Sequence, residues 1–169
     1  MTKIGLLSDT HTFFHPEIPV FFKDVDEIWH AGDIGNLDVV SKLQAFKPLR
    51  AVYGNIDGHE IRMQCPEILI FDCEDMKVMM MHIGGYPGHY TPQATNLLKQ
   101  HNPDLFITGH SHILKVIYDK KHSLLHVNPG AAGKSGWHQL ITLIRFTIDR
   151  NEIQEMEIRE LKRGGMAAY

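Results

Sequence analysis

The sequence predicts an α/β fold in which two mixed sheets pack together and helices cover the outside. Short apolar runs rich in Ile, Val and Leu recur along the chain, which is typical of buried strands. In the N-terminal half these runs alternate with predicted helices, whereas the C-terminal third reads mostly as antiparallel strands. No low-complexity segment or internal repeat interrupts the sequence, so we interpret residues 1–169 as a single domain.

The N-terminal half predicts a β-α-β-α-β order. The elements are a strand at Ile4–Leu7, a helix near Pro19–Lys23, a strand at Glu27–His30, a helix at Leu37–Phe46 and a strand at Leu49–Tyr53. Pro48 ends the second of these helices, because proline cannot continue the helical hydrogen bonding. The alternation implies parallel strands joined by right-handed crossovers.

The second half predicts a strand pair, one helix and a run of further strands. The pair is Ile68–Phe71 and Lys77–Met81, joined by the polar segment Asp72–Asp75. Thr91 and Pro92 are typical of an N-cap and a first helical position, which predicts a helix to about His101. The remaining predicted strands are Asp104–Thr108, Ile113–Tyr118, Ser123–Val127, Gln139–Ile148 and Ile153–Ile158, and Leu161–Tyr169 is expected to be a frayed tail.

Composition excludes several classes of protein. The chain has 169 residues, 43% hydrophobic and 22% charged, which is ordinary for a globular domain. Its net charge of -3 argues against bulk binding of nucleic acid or anionic membrane. The opening MTKIGLLSDTH lacks a signal-peptide pattern, and no apolar run approaches the ~20 residues that span a bilayer. We therefore expect a cytoplasmic protein with no membrane partner.

The cysteine and histidine contents differ sharply in what they indicate. Cys65 and Cys73 are too few for a disulfide framework and lack a CxxC spacing. The chain has 12 histidines, far more than a domain of this size usually carries. Imidazole serves both as a metal ligand and as a proton carrier, so this excess points toward a chemical function.

Side chains that bear oxygen or imidazole follow most of the predicted strands. In α/β folds, sites form outside the carboxyl ends of strands, where loops converge. Taken singly, each segment could be an ordinary turn, a polar surface loop or, for His82, a satisfied core histidine. Taken together they indicate a metal site. The segments are Asp9-Thr10-His11, Gly32-Asp33, Gly54-Asn55-Ile56-Asp57, His82, Gly109-His110-Ser111-His112 and Asn128-Pro129-Gly130.

The donor atoms suit a pair of divalent metal ions. The seven candidate ligands are Asp9, His11, Asp33, Asn55, His82, His110 and His112. Hard oxygens and imidazoles without thiolate suit Mn, Fe, Zn or Ni, with Mn as the first expectation. The set is too large for one tetrahedral ion but suffices for two ions that share a bridging carboxylate. Such a centre keeps roughly +2 of charge, which attracts an anionic phosphate ester.

These blocks resemble the calcineurin-like metallophosphoesterase superfamily, and the short chain resembles its small bacterial and archaeal phosphodiesterase branch. The resemblance runs from Lys3 to about Gly130. It implies a four-layer α/β/β/α sandwich with a two-metal site at one edge. It also implies which ligands each ion takes: Asp9, His11, Asp33 and His112 for one, and Asp33, Asn55, His82 and His110 for the other.

The resemblance further implies a mechanism. A metal-bridging hydroxide would attack phosphorus in line, with no covalent enzyme intermediate. Asn55 and Asp57 would be the catalytic residues beside the ligands: Asn55 would contact a phosphate oxygen, and Asp57 would orient neighbouring groups. The implied partner is a small phosphate ester, and analogy with relatives suggests a homodimer.

Two positions depart from the family pattern. Ile56 follows Asn55, where many relatives have a histidine that protonates the leaving group, and Ala131 stands where relatives often have serine. Without that acid, we expect a phosphodiesterase that favours activated leaving groups. His59 and His89 are candidate substitutes, although surface positions are the simpler interpretation for both. The alternatives are a phosphomonoesterase, a nucleotide pyrophosphatase, or a non-enzymatic protein-binding scaffold of the same fold.

Overall fold

The computed structural model describes residues 1–164, and their strands form two five-stranded sheets. The strands are β1 (Thr2–Leu7), β2 (Glu27–His30), β3 (Leu49–Ala51), β4 (Ile68–Cys73), β5 (Met76–Met81), β6 (Leu105–Ile107), β7 (Leu114–Asp119), β8 (Leu124–Pro129), β9 (Leu140–Asp149) and β10 (Glu152–Lys162). The helices are α1 (Glu17–Phe21), α2 (Leu37–Phe46), α3 (His59–Gln64) and α4 (Pro92–His101). None of these helices has the length and apolarity needed to cross a membrane.

Both sheets are mixed, as predicted. The first has the order β10-β9-β1-β2-β3, in which β1, β2 and β3 run parallel. Strand β9 pairs antiparallel with both β1 and β10. The second has the order β4-β5-β6-β8-β7, in which β5, β6 and β8 run parallel. Each sheet therefore carries three neighbouring parallel strands whose carboxyl ends share one edge.

Three apolar clusters lie between the four layers of helices and sheets. Between the sheets, residues such as Leu6 and Trp29 from the first sheet pack against Met80 and Ile107 from the second. On the outer face of the first sheet, α1, α2 and α3 bury side chains such as Phe21, and α4 covers the second sheet with Ala94 and Leu98. The alternation of strand side chains between two faces produces this layering. The predicted α/β/β/α sandwich is confirmed.

The differences from the predicted elements have local causes. Helix α1 begins at Glu17, two residues before the predicted start, because Pro19 is tolerated within a first turn. Strand β3 ends at Ala51 instead of Tyr53, since the Tyr53 amide donates to the Pro66 carbonyl outside the sheet. Helix α3 was not predicted; its six residues are too few to show a helical period, and it buries only Ile61.

The prediction of a frayed C-terminal tail at Leu161–Tyr169 is partly wrong. Leu161 and Lys162 continue β10, where they pair with Ile141 and Leu140 of β9. The 11 residues of β10 pair antiparallel along nearly the whole of β9, so the edge strand extends further than its apolar pattern indicated. Residues 165–169 of that tail lie outside the described residues.

A buried histidine in β8 should make the fold sensitive to mild acid. His126 is fully buried with Nε2 3.0 Å from Thr108 Oγ1, and burial lowers its pKa from 6.5 to about 4. Between these two values the unfolded chain binds a proton that the folded chain does not. The stability that neutral His126 contributes to the fold is therefore fully present above pH 6.5 and is lost as the pH falls toward 4.

We expect unfolding by urea, measured with a chelator present, to show this loss. The contribution of His126 should fall by ~2 kcal/mol between pH 7.5 and pH 5. His126→Gln should flatten the pH dependence in part, because buried His30, whose pKa is also about 4, remains. The exposed His89→Gln serves as the control and should keep the full slope. An unaltered slope in His126→Gln would contradict this account.

Candidate metal centre

The predicted ligands converge at the edge where the parallel strands of both sheets end. Asp9 and His11 follow β1, Asp33 follows β2 and Asn55 follows β3. From the second sheet, His82 follows β5, and the loop after β6 carries His110 and His112. In the described part of the chain, the His and Asp side chains form two groups, each with ligand atoms within 4.8 Å of one another: Asp9, His11 and His112, and Asp33, His82 and His110.

The two oxygens of the buried Asp9 carboxylate have different surroundings. Oδ2 accepts hydrogen bonds from Ser8 Oγ at 2.6 Å and from the His110 amide at 3.1 Å. Oδ1 faces imidazole nitrogens, 3.2 Å from His112 Nε2 and 3.7 Å from His11 Nε2. Hydrogen bonds from loops of both sheets thus orient the carboxylate through Oδ2. Oδ1 faces the imidazoles of the first group.

Asp33 lies between the two groups. Its Oδ1 accepts from the Ile56 amide at 3.0 Å, whereas Oδ2 is 3.4 Å from His11 Nε2 and 3.2 Å from His82 Nε2. Ligands ~2.1 Å from a common ion at ordinary coordination angles lie ~3.0–3.4 Å apart. One carboxylate oxygen is therefore near ligand spacing from both groups, which is the position that a bridging ligand requires.

Three polar atoms of this cluster lack hydrogen-bond partners among the described residues. They are Asp9 Oδ1, His11 Nε2 and His82 Nε2, all inaccessible to solvent. Leaving a buried polar atom without a partner costs about 1–3 kcal/mol, and more when the group is charged. A divalent cation coordinated by these atoms would remove that cost, so the residues fit a metal centre.

Hydrogen bonds to the second ring nitrogen set the tautomers of two histidines. His82 Nδ1 donates to the Ala31 carbonyl at 2.7 Å, which leaves the Nε2 lone pair facing Asp33. His112 Nδ1 lies 3.2 Å from His138 Nδ1, and His138 Nε2 donates to the Gly133 carbonyl at 2.7 Å. His138 Nδ1 must then accept from His112, so His112 Nε2 also keeps its lone pair for coordination.

The sequence did not reveal the contact between His138 and the candidate ligand His112. His138 lies 26 residues beyond His112, outside every block that follows a parallel strand. The only sequence signal was the general excess of histidine, which identifies no individual position.

Asn55 and Asp57 occupy different places at this edge. Asn55 is exposed, with Oδ1 3.0 Å from His110 Nδ1, so it adjoins the second group. The buried Asp57 carboxylate accepts from three backbone amides at 2.8–3.1 Å and thereby joins the Asp33 and Asn55 loops; the donors are Ile34, Gly35 and Gly54. Asp57 thus positions these loops from beneath. His59 and His89 are exposed and belong to neither group.

The ligand loops adopt an unusual backbone conformation. Five of the predicted ligands have positive φ angles: Asp9 (53°), His11 (45°), Asp33 (54°), His110 (71°) and His112 (59°). Non-glycine residues in the left-handed region cost about 1 kcal/mol or more each. Backbone bonds between loops hold this geometry, such as Asp9 N to Gly32 O at 2.9 Å and His11 N to Asp33 O at 3.0 Å.

Electrostatics within the metal-free cluster favours ionised groups. Burial alone would raise the pKa of Asp9, but the facing imidazoles of His11 and His112 outweigh it and hold that pKa well below its usual range. Burial would lower the pKa of His82, yet Asp33 and Asp9 raise it above its ordinary value. The carboxylates raise the pKa of His11 and of His82, so metal binding should displace protons from these two imidazoles.

The fold and this cluster together define an α/β/β/α protein with two adjacent candidate metal sites at one sheet edge. The sequence profile of the calcineurin-like phosphoesterase superfamily domain matches residues 2–151. The chain therefore belongs to the calcineurin-like phosphoesterase superfamily, and the resemblance predicted from its motifs is confirmed.

Known relatives agree with this assignment. A protein of Methanothermobacter thermautotrophicus, described as a probable metallophosphoesterase, is 34% identical over 133 residues, covering 76% of each chain. A solved archaeal phosphodiesterase has a TM-score of 0.73 at 22% identity, over 94% of this chain and 99% of that one. Vps29 of Entamoeba histolytica complexed with zinc has a TM-score of 0.71 at 15% identity, over 96% and 99%. These two structures support the fold alone.

Single histidine substitutions should separate the two metal sites. His11→Ala should remove mainly the ion held with Asp9 and His112, and His82→Ala mainly the ion held with Asp33 and His110. Each variant lacks one of the ligands that its ion would need, so that site should bind zinc much more weakly. Calorimetric titration with zinc should show two bound ions in the wild type and about one in each variant. Two ions of undiminished affinity in both variants would refute this partition.

Proposed function

We propose that the chain is a dinuclear metal-dependent phosphodiesterase that hydrolyses small phosphate diesters with activated leaving groups. The observation that supports this best is the placement of Asp33 Oδ2, 3.4 Å from His11 Nε2 and 3.2 Å from His82 Nε2. Two adjacent ligand groups that share one carboxylate suit a pair of ions that act together on a phosphoryl group. The family assignment and the named activity of the archaeal relative point the same way.

The residues present divide between two ions. Asp9, His11, Asp33 and His112 would hold the first, and Asp33, Asn55, His82 and His110 the second. Manganese is the first expectation; zinc, which Entamoeba Vps29 binds, and nickel or iron also suit these donors. When bound, the ions supply an activated water as nucleophile at neutral pH and neutralise charge that develops on phosphoryl oxygens.

The protein's own groups would orient the substrate and the ligands. The exposed amide of Asn55 would donate to a phosphate oxygen next to the second group. His138 keeps His112 in the coordinating tautomer, and Asp57 keeps the Asp33 and Asn55 loops in register. These groups are fixed before substrate arrives, which avoids reorganisation during the reaction.

The preference for activated diesters follows from the residue beside Asn55. Ile56 is 46% exposed at this position and cannot protonate a departing oxygen. The candidate replacements His59 and His89 are exposed and lie outside both ligand groups. A substrate whose leaving group is stable as an anion needs no such acid, whereas an alkyl alcohol does.

A comparison of two aryl esters tests this function. Protein loaded with manganese, nickel or zinc should hydrolyse bis(p-nitrophenyl) phosphate with a kcat/KM at least about tenfold above that for p-nitrophenyl phosphate. A chelator should remove the activity, and restored metal should return it. A faster monoester reaction would favour the phosphomonoesterase alternative. No hydrolysis of either ester by protein with two bound ions would favour the scaffold.

A further inference from the structure

An open cleft of about 600 Å³ lies directly beside the candidate metal centre. His110 and His112 line it, so the cleft adjoins both candidate ligand groups. Its lining also includes Ile113, Trp137 and Leu140. A group attached to a phosphate at the centre could therefore extend into this cleft.

The cleft exposes apolar side chains. Trp137 is 98% exposed, Ile113 57% and Leu140 40%. Exposed apolar surface concentrated at one concave place marks a binding site more often than scattered exposed residues do. An indole in particular offers a large flat surface on which a planar ring can stack.

The charges around the centre indicate what this cleft does not bind. Among the described lining residues there is no lysine or arginine, and Glu160 contributes a negative charge. Two basic side chains near the centre line other cavities: Arg62 beside Asn55 and His82, and Lys115 beside Tyr86. Arg163 donates to the Gly136 carbonyl at this cleft, and the negative charge of Glu160 offsets its positive charge. The lining therefore offers no net positive charge to a further phosphate group and favours an uncharged substituent.

We propose that this cleft is a specificity subsite that binds a planar aromatic substituent of the phosphate ester by stacking on Trp137. The proposal rests on the proposed function and deepens it, because it assigns the substrate class as aromatic phosphate esters. Trp137 contacts the substrate but neither the metal ligands nor the reacting phosphorus.

Two phosphonates that resist hydrolysis test the subsite directly. Phenylphosphonate and methylphosphonate share the anionic head and differ only in the ring. Zinc-loaded wild-type protein should bind phenylphosphonate about tenfold more tightly by calorimetry, about 1.4 kcal/mol. Trp137→Ala should lose this difference, and Trp137→Phe should retain most of it. Tyr118→Ala, an exposed aromatic residue in β7 outside the cleft, is the matched control and should keep the preference.

Tryptophan fluorescence gives a second readout that needs no catalysis. The chain has two tryptophans, and Trp29 is fully buried, so quenching by acrylamide reports on Trp137. Phenylphosphonate should reduce the quenching constant at least about twofold, and methylphosphonate should leave it unaltered. Zinc does not quench indole emission, which makes it the suitable metal here.

Several outcomes would overturn the subsite. Equal affinity for the two phosphonates, or quenching of Trp137 that phenylphosphonate leaves unaltered, would do so. Shielding of Trp137 that grows with protein concentration alone would assign the cleft to a second copy of the chain instead. If the wild type hydrolyses no diester yet binds phenylphosphonate with the expected preference, the proposed function fails and the aromatic subsite stands.

Discussion

Replacing Asp33 by asparagine should lower metal-dependent phosphodiester hydrolysis by about 10³-fold while leaving the fold intact. Asparagine has nearly the same shape, and its side-chain oxygen can still accept from the Ile56 amide. The substitution removes the negative charge between His11 and His82. Stabilisation of phosphoryl charge by metal ions is worth several kcal/mol, and ~4 kcal/mol corresponds to ~10³-fold in rate.

The measurement combines metal content with rate. Asp33→Asn should bind both ions more weakly, which metal analysis after gel filtration will show, and its circular dichroism should match the wild type. Asp38→Asn is the control, since this exposed carboxylate of α2 forms an ion pair with Lys42 in the same helix. Hydrolysis at the wild-type rate by Asp33→Asn would exclude Asp33 as the shared ligand and would remove the main support for the proposed function.

Gly54→Ala should damage both stability and metal binding although it adds a single methyl group. A Cβ at Gly54 would lie 2.0 Å from Asp33 Oδ1 and 2.4 Å from the Asp33 backbone nitrogen. Since one of these atoms is backbone, a rotamer change of Asp33 cannot relieve the clash. We expect a loss of about 1–3 kcal/mol in the free energy of unfolding. Displacement of Asp33 should also weaken the affinity for both ions.

Gly58→Ala is a control four residues away in the same loop. An added Cβ there meets no atom within 4 Å in the described part of the chain, and its φ of -84° suits alanine. The free energy of unfolding of this variant should differ from the wild type by less than about 1 kcal/mol. Urea unfolding and zinc calorimetry on the pair will separate the effects. Wild-type values for Gly54→Ala would mean that the two loops do not pack as closely as described.

The sequence predicted where the candidate ligands lie in the fold, because they follow buried strands. Apolar runs such as those before Asp33 and His82 mark strands, and the β-α-β order places their carboxyl ends on one edge. Position in the fold therefore followed from local pattern and from a general rule of parallel sheets. The structure brings Asp9 and His11 into one group with His112, which lies far away from both in the sequence.

What sequence could not supply were contacts between segments with no shared pattern. His138 reaches His112 from the segment before β9, where no strand period leads into it. Helix α3 is too short for periodicity and is stabilised by packing, chiefly of Ile61 against the first sheet. The apolar cleft around Trp137 is likewise assembled from separate loops, so only the three-dimensional structure reveals it.

Five candidate ligands have a left-handed backbone conformation, and this has a practical consequence for protein engineering. They are Asp9, His11, Asp33, His110 and His112. Glycine relieves strain at such dihedral angles, so substitution of the less buried His11, His110 or His112 can raise the melting temperature of protein stripped of metal. A library selected only for heat resistance under those conditions would enrich glycine at the coordinating positions and discard catalysts. Selection performed with manganese or zinc in the buffer would reverse that ranking, because bound ions stabilise only the chains that retain their ligands.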